Sequence, residues 1–150
     1  MTATPLTDDQ LLKKAIEAKA NAHCEYSKFP VGAAVLTEDG NVFLGCNVEN
    51  ASYGGTICAE RSAIVSAVSN GYKKFRAIAV VTDLTEPASP CGLCRQFLVE
   101  FGDYKVIVGS ATSTKTILTT TRDLLPFAFT PESLETYAHE VESKKTANTS

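Results

Sequence analysis

Apolar residues recur at helical spacing near the amino terminus and predict a first helix from Thr7 to about Cys24. The apolar positions that share one face are Leu11, Leu12, Ala15, Ile16, Ala18 and Ala22. Thr7 and Gln10 have the types and spacing of a capping box, in which each side chain bonds the other residue's amide. The spacing therefore predicts both the start and the buried face of this helix.

Five short runs rich in apolar or β-branched residues predict strands at 31–36, 42–48, 77–81, 105–108 and 116–121. Gly40 predicts a tight hairpin between the first two, since glycine supplies the positive φ that such turns need. In the second strand, alternation places Cys46 with Val42, Leu44 and Val48 on the face expected to meet the core.

Helical patterns between and after these strands predict helices at about 58–69, about 91–101 and 131–138. Strands that alternate with helices favour parallel pairing in the middle of the sheet. We therefore predict one α/β domain over residues 1–150. It has three layers, a mixed five-stranded sheet flanked by helices on both faces, with flexible tails at about 1–6 and 142–150.

Composition narrows the class of protein. The 150 residues are 44% hydrophobic and 21% charged, which is typical of a globular domain. The longest apolar runs are far shorter than the roughly 20 residues that span a membrane. The amino terminus does not have the pattern of a secretory signal. An odd count of five cysteines favours reduced thiols, so we expect a cytoplasmic protein.

Charge argues against nucleic acid as a partner. The net charge is −3, and the 14 Lys and Arg residues are scattered along the chain. Phosphate-backbone binding requires a basic face. This slightly negative net charge favours a small and nearly neutral ligand.

Three cysteines at two predicted helix starts form the strongest chemical pattern. Cys91 and Cys94 are three residues apart, so their sulfurs share one face of the first turn. Cys58 begins the other helix and can supply a third sulfur. Zinc takes sulfur ligands tetrahedrally, and three protein ligands leave a position for water, whose pKa zinc lowers toward about 7. The pattern predicts one catalytic zinc ion per chain.

Charged residues beside these cysteines have predicted roles of their own. Glu60 is placed to move protons on and off the water and the substrate. Arg61 or Arg95 could hydrogen-bond the sulfurs and reduce their negative charge, and helix phase favours Arg61.

Two other interpretations of the cysteines stay open. A closed structural zinc site would need a fourth ligand, for which Cys46, Cys24, His23 and His139 are the candidates. Cys46 and Cys24 are expected to be small packed residues. Alternatively, Cys91 and Cys94 form a redox pair, although Pro90 and the separate Cys58–Glu60 motif argue against it.

Polar and aromatic residues elsewhere predict a substrate site. Asn47 and Glu49 share a strand face and can clamp sugar hydroxyls, although a solvated strand end gives the same pattern. Phe29 and Phe129 are either ligand platforms or core residues.

Cys58-Ala59-Glu60 followed by Pro90-Cys91-Gly92-Leu93-Cys94-Arg95-Gln96 resembles the zinc-dependent cytidine deaminases. The similarity extends to residues 26–32, 45–51, 62–71 and 124–126, and covers about residues 7–135. It is closest to the small homotetrameric branch of that family.

The resemblance implies zinc on Cys58, Cys91 and Cys94, with Glu60 as proton shuttle. It also implies a nucleoside site in which Asn47 and Glu49 bind ribose hydroxyls, Phe29 borders the nucleoside and the loop through Ala51 and Tyr53 contacts the sugar. A neighbouring subunit of a homotetramer with shared active sites supplies Phe129, or Phe127 in its place, to stack on the base. The implied reaction deaminates cytidine and deoxycytidine in pyrimidine salvage, without nucleic-acid or membrane partners.

Three rival functions share parts of this pattern. A deaminase of the dCMP or blasticidin type would use the same zinc motif, but there is no basic cluster near residues 47–53 to bind phosphate. The charge and short loops disfavour a nucleic-acid editor. A non-catalytic zinc module would need a fourth protein ligand such as Cys46.

Overall fold

The computed structural model describes residue 4 and residues 6–149, and its elements follow the predicted order. They are α1 (Asp8–Lys19), β1 (Val31–Thr37), β2 (Val42–Cys46), α2 (Ala59–Ser69), β3 (Phe75–Thr82), α3 (Gly92–Val99), β4 (Lys105–Ser110), β5 (Thr116–Thr120) and α4 (Pro131–Ala147). The prediction for residues 1–6 falls largely outside this range.

The sheet is mixed, with the strand order β2-β1-β3-β4-β5. Among the five strands of the described chain, only β3 and β4 pair in parallel. Strand β1 pairs antiparallel with both β2 and β3, and β4 pairs antiparallel with β5. Because β1 runs opposite to both neighbours, β2 and β3 point the same way. The helices that follow them, α2 and α3, therefore begin at the same edge of the sheet.

Helices cover both faces of the sheet, which confirms the predicted three-layer α/β architecture. Leu11 and Ala15 of α1 pack on one face. Ile64 of α2 and Leu98 near the end of α3 pack on the other. No helix within the described residues is long and apolar enough to cross a bilayer.

Helix α1 begins as predicted and ends earlier. The Thr7–Gln10 capping box is present in both directions. The helix ends at Lys19 instead of about Cys24 because the next segment pairs with the end of β2. The His23 amide donates to the Asn47 carbonyl at 2.9 Å, and the Glu49 amide donates to the His23 carbonyl at 2.8 Å.

The prediction that the Cys46 face of β2 meets the core is wrong. Leu44 and Val48 on that face are 41% and 43% exposed, and Cys46 is only partly buried. The strand lies at the edge of the sheet. Its other face, with Phe43 and Gly45, packs against the α2 side.

Helix α4 extends beyond the predicted end at residue 138 and includes most of the segment expected to be a tail. Residues 139–147 contain no glycine or proline, and Lys144 and Lys145 lie in the last turn, where cations favour a helix. No α4 residue is buried. The apolar run at 124–129 forms turns and no regular element.

Gly45 allows β2 to approach α2 closely. A Cβ at this position would lie 2.3 Å from the Ala63 amide nitrogen and 2.5 Å from the Ala59 carbonyl oxygen. We expect Gly45→Ala to lower the free energy of unfolding by about 1–3 kcal/mol, because two backbones must separate. Urea unfolding measures the loss. Gly54→Ala is the control, since its Cβ would meet nothing within 4 Å. Equal unfolding midpoints for the two variants would contradict the prediction.

Candidate functional site

Two helix starts bring the three predicted cysteines together. Cys58 is the N-cap of α2, Cys91 is the N-cap of α3, and Cys94 lies in the first turn of α3. All three sulfurs lie within 4.8 Å of one another. The Sγ atoms of Cys58 and Cys91 are 3.9 Å apart. Cys94 is buried, Cys58 is partly buried and Cys91 is exposed.

The trio fits a zinc ion. Tetrahedral Zn–S bonds of about 2.3 Å place sulfurs about 3.8 Å apart, close to the separation between Cys58 and Cys91. Zinc requires thiolates. A hydrogen bond from Cys94 and the nearby Arg61 guanidinium lower the pKa of Cys58 to about 5. The hydrogen bond to Cys58 and burial raise the pKa of the Cys94 thiol.

Arg61, and not Arg95, contacts sulfur. Arg61 Nη2 donates to Cys58 Sγ at 3.3 Å. Its Nε is buried and has no hydrogen-bond partner among the described residues. Arg95 donates to oxygen atoms instead. The cation that helix phase favoured is therefore the one placed to offset thiolate charge.

No fourth protein ligand joins the cluster within the part of the chain that is described. Cys46, Cys24, His23 and His139, the candidates for a closed site, lie outside the group. Three thiols without a fourth side chain are typical of a site that leaves one coordination position free.

The Glu60 carboxyl lies against the cysteine trio. Cys94 Sγ lies 3.6 Å from Glu60 Oε2, within hydrogen-bonding distance for sulfur. Glu60 is 5% exposed, and burial raises the pKa of its carboxyl. A buried acid beside three thiols, with its side chain at a cavity wall, can hold a proton next to a bound molecule.

A cavity of about 300 Å³ opens beside the trio and is large enough for a small ligand. Six residues that the sequence predicted as site residues line the cavity, namely Phe29, Asn47, Glu49, Cys58, Glu60 and Cys91. Sequence reasoning missed its other lining residues, which are Ser27, Val31, Thr56, Ala59, Val80, Thr82, Ala88 and Ser89. Position was the available signal for six of them, because Thr56, Ala59, Ala88 and Ser89 flank the helix starts and Val80 and Thr82 end β3, where ligands bind in α/β sheets. Ser27 and Val31 lie before and at the start of β1.

Asn47 and Glu49 are already bonded to the loop before β1. Asn47 Oδ1 accepts from the Val31 amide at 2.9 Å, and its Nδ2 donates to the Phe29 carbonyl at 2.8 Å. Glu49 Oε1 accepts from the amides of Tyr26 and Ser27, both at 3.0 Å. Hydrogen bonds from Ser27 and Tyr26 lower the pKa of Glu49. The carboxylate also lines the cavity, where it can accept further hydrogen bonds from a ligand.

The other predicted substrate residues lie outside this cavity. Tyr53 borders an adjoining cavity of about 380 Å³, where its ring meets that of Tyr26 edge to face at 5.4 Å. Ala51 is exposed on the same loop. Phe129 is 60% exposed and Phe127 is fully exposed, with a left-handed φ of 56°. The chain's own cavity contains neither phenylalanine.

Comparisons with known proteins agree on one family. The family model described as the cytidine and deoxycytidylate deaminase zinc-binding region matches residues 5–110. A "probable cytidine deaminase" from Dictyostelium discoideum is 49% identical, over 87% of this chain and 92% of its own. The cytidine deaminase from Sporosarcina psychrophila is 47% identical, over 88% of this chain and 97% of its own.

A solved structure supports the same relation. The crystal structure of cytidine deaminase from Burkholderia pseudomallei superimposes with a TM-score of 0.80 at 46% identity. The match covers 83% of this chain and 100% of that chain.

Proposed function

The chain belongs to the cytidine and deoxycytidylate deaminase family, and we propose on this premise that it hydrolyses cytidine and deoxycytidine to uridine and deoxyuridine. Water supplies the oxygen at C4 of the base, the C4–N bond breaks and ammonia leaves. The observation that carries the proposal is one cavity that joins two of three clustered thiols to a buried Glu60 carboxyl.

Cys58, Cys91 and Cys94 would hold one zinc ion per chain. When bound, zinc supplies a Lewis acid that makes water nucleophilic near neutral pH. Arg61 stabilises the thiolates through its contact with Cys58 Sγ. By drawing charge from the sulfurs, Arg61 keeps three anionic ligands from weakening that acid.

Glu60 moves the protons. Its carboxyl carries one proton from the attacking water to N3 of the cytosine ring, then takes the second proton from the new hydroxyl at C4 and passes it to the leaving amine. Burial excludes bulk water, so the proton stays at the reacting atoms. The carboxyl is buried beside the metal-ligand candidates, with Oε2 at 3.6 Å from Cys94 Sγ.

The nucleoside lies between Phe29 and the trio, and its ribose hydroxyls bond Asn47 and Glu49. Ala51 and Tyr53 contact the sugar from the adjoining loop. Among the described residues, the cavity lining contains no lysine or arginine. This favours a nucleoside over a nucleotide such as dCMP, because phosphate recognition calls for such cations.

We expect Glu49→Gln to raise KM for cytidine by about 10-fold, because hydrogen bonds to a charged group contribute about 1.5–3 kcal/mol. Steady-state kinetics measure it. The matched control is 2′,3′-dideoxycytidine, which has no hydroxyls at these positions. An equal rise in KM for cytidine and for 2′,3′-dideoxycytidine would show that Glu49 does not bind the hydroxyls.

A homotetramer with shared active sites completes the proposal, with Phe129 of one chain on the base bound by another. Exposed apolar side chains on and beside α4, namely Phe127, Phe129, Leu134 and Tyr137, support burial by other copies. Sedimentation is expected to give the mass of four chains. A stable and active monomer would contradict this assembly.

The reaction places the protein in pyrimidine salvage, and the need for reduced thiols favours the cytosol. The direct test follows the ultraviolet absorbance of cytidine with zinc-replete protein, together with the zinc-to-protein ratio. Loss of the cytidine band with ammonia release, abolished by stripping zinc, is expected. One zinc ion per chain with no turnover would point to another amino-nucleoside or to a zinc module.

A further inference from the structure

Arg95 directly follows the metal-ligand candidate Cys94 and bonds two separate segments of the chain. Its Nε donates to the Pro90 carbonyl at 2.8 Å, and its Nη2 donates to Ser89 Oγ at 2.7 Å. Its Nη1 donates to the Leu124 carbonyl at 2.9 Å. All three guanidinium nitrogens are therefore engaged, each with a different residue.

The first segment that Arg95 holds is a wall of the cavity. Ala88 and Ser89 line the cavity beside Glu60, and Pro90 leads directly into Cys91. No residue in this stretch belongs to a helix or strand. Its position therefore depends on bonds from neighbouring elements, and Arg95 supplies two of them.

The second segment is the turn-rich stretch 124–129, which carries the exposed rings of Phe127 and Phe129. Arg95 bonds its first residue, and Gln96 Nε2 donates to the Phe129 carbonyl at 2.7 Å. Two successive residues of α3 thus anchor both ends of this stretch. The helix that follows it, α4, buries no residue and adds little support.

We infer that Arg95 is a positioning residue, which holds the cavity wall 88–90 and the stretch 124–129 in one arrangement relative to α3. The role requires a planar fork with several donors, which lysine does not have. The inference rests on the proposed function only for its kinetic readout, because wall displacement should weaken nucleoside binding without touching Glu60 or the thiols.

The test compares Arg95→Gln and Arg95→Lys with Arg76→Gln. Arg76 also donates through Nε to a backbone carbonyl, that of Glu38 at 2.9 Å, but lies near the opposite end of β3. We expect both Arg95 variants to keep one zinc ion per chain. Their KM for cytidine should rise by about 10-fold or more, with kcat within about 3-fold, since small misplacements at a site are costly.

A second readout is independent of activity. Phe127 and Phe129 are covered by other copies in the proposed tetramer, so chymotrypsin, which cleaves after phenylalanine, reaches them only when the stretch opens. Cleavage there should be at least about 5-fold faster in Arg95→Gln, because opening becomes easier when an anchor is lost. Gln96→Ala, an exposed change that leaves the cavity intact, should accelerate cleavage after Phe129 alone.

Several outcomes would overturn the inference. One is that the Arg95 variants have the same KM and cleavage rates as Arg76→Gln. Another is that Arg95→Lys behaves like the unaltered protein. A third is that the Arg95 variants lose their zinc. Absence of cytidine turnover in the unaltered protein would instead reject the proposed function, and the cleavage experiment would still decide whether Arg95 anchors the stretch.

Discussion

Replacement of Glu60 by glutamine is expected to lower kcat for cytidine by about 10³–10⁴-fold, at the upper end of what a positioned general acid or base contributes. Glutamine keeps the size of the side chain, so the cavity is retained, but it cannot carry protons from the attacking water to N3 and to the leaving amine. Zinc should stay at one ion per chain because Glu60 is not a ligand. Glu60→Ala should keep zinc and lose turnover in the same way.

The control for this variant is Glu100→Gln. Glu100 is an exposed carboxylate at the end of α3, outside the cavity. The Glu100→Gln variant should have the same kcat and zinc content as the unaltered protein. If Glu60→Gln retained kcat within about 10-fold of the unaltered protein, with zinc bound, general acid-base catalysis would have to come from another group.

The second large effect is expected from Cys94→Ala, which should strip zinc and abolish measurable turnover. Cys94 is the buried member of the trio, and only two thiols remain without it. Loss of an outer-shell partner already costs about 10–100-fold in metal affinity, so loss of a ligand costs more. Atomic absorption on dialysed protein measures the zinc content, and the cytidine assay measures the activity.

Cys46→Ala is the control, since it removes a partly buried thiol that lies outside the trio. Cys46 is not among the three thiols whose sulfurs lie within 4.8 Å of one another. This variant should keep both zinc and turnover. If Cys46→Ala lost its zinc, the site would be closed by a fourth cysteine and the interpretation as a non-catalytic module would gain support.

Local signals in the sequence predicted much of the site. The capping box at Thr7 acts within one turn of chain, and so does the spacing of Cys91 and Cys94. A glycine with positive φ follows the ends of both site helices, at Gly71 and Gly102. Such features depend on near neighbours. The helix starts predicted at Cys58 and Cys91 are the ones that hold all three thiols and Glu60.

Nonlocal packing decided what the sequence did not reveal. Alternation in β2 cannot tell which face is buried, because the answer depends on how far α1 reaches toward an edge strand. Leu44 is apolar and yet 41% exposed for this reason. The end of α1 was likewise set by pairing of His23 with Val48, 25 positions away.

The insertion of β1 between β2 and β3 also has a kinetic consequence. Cys58 and the pair Cys91 and Cys94 lie on opposite sides of β3 in the chain, so they meet only after β3 has paired with β1. Nonlocal pairing of this kind is slow compared with helix formation. During refolding, uptake of zinc at full affinity should therefore follow helix formation. Its rate should report the pairing of β3 with β1.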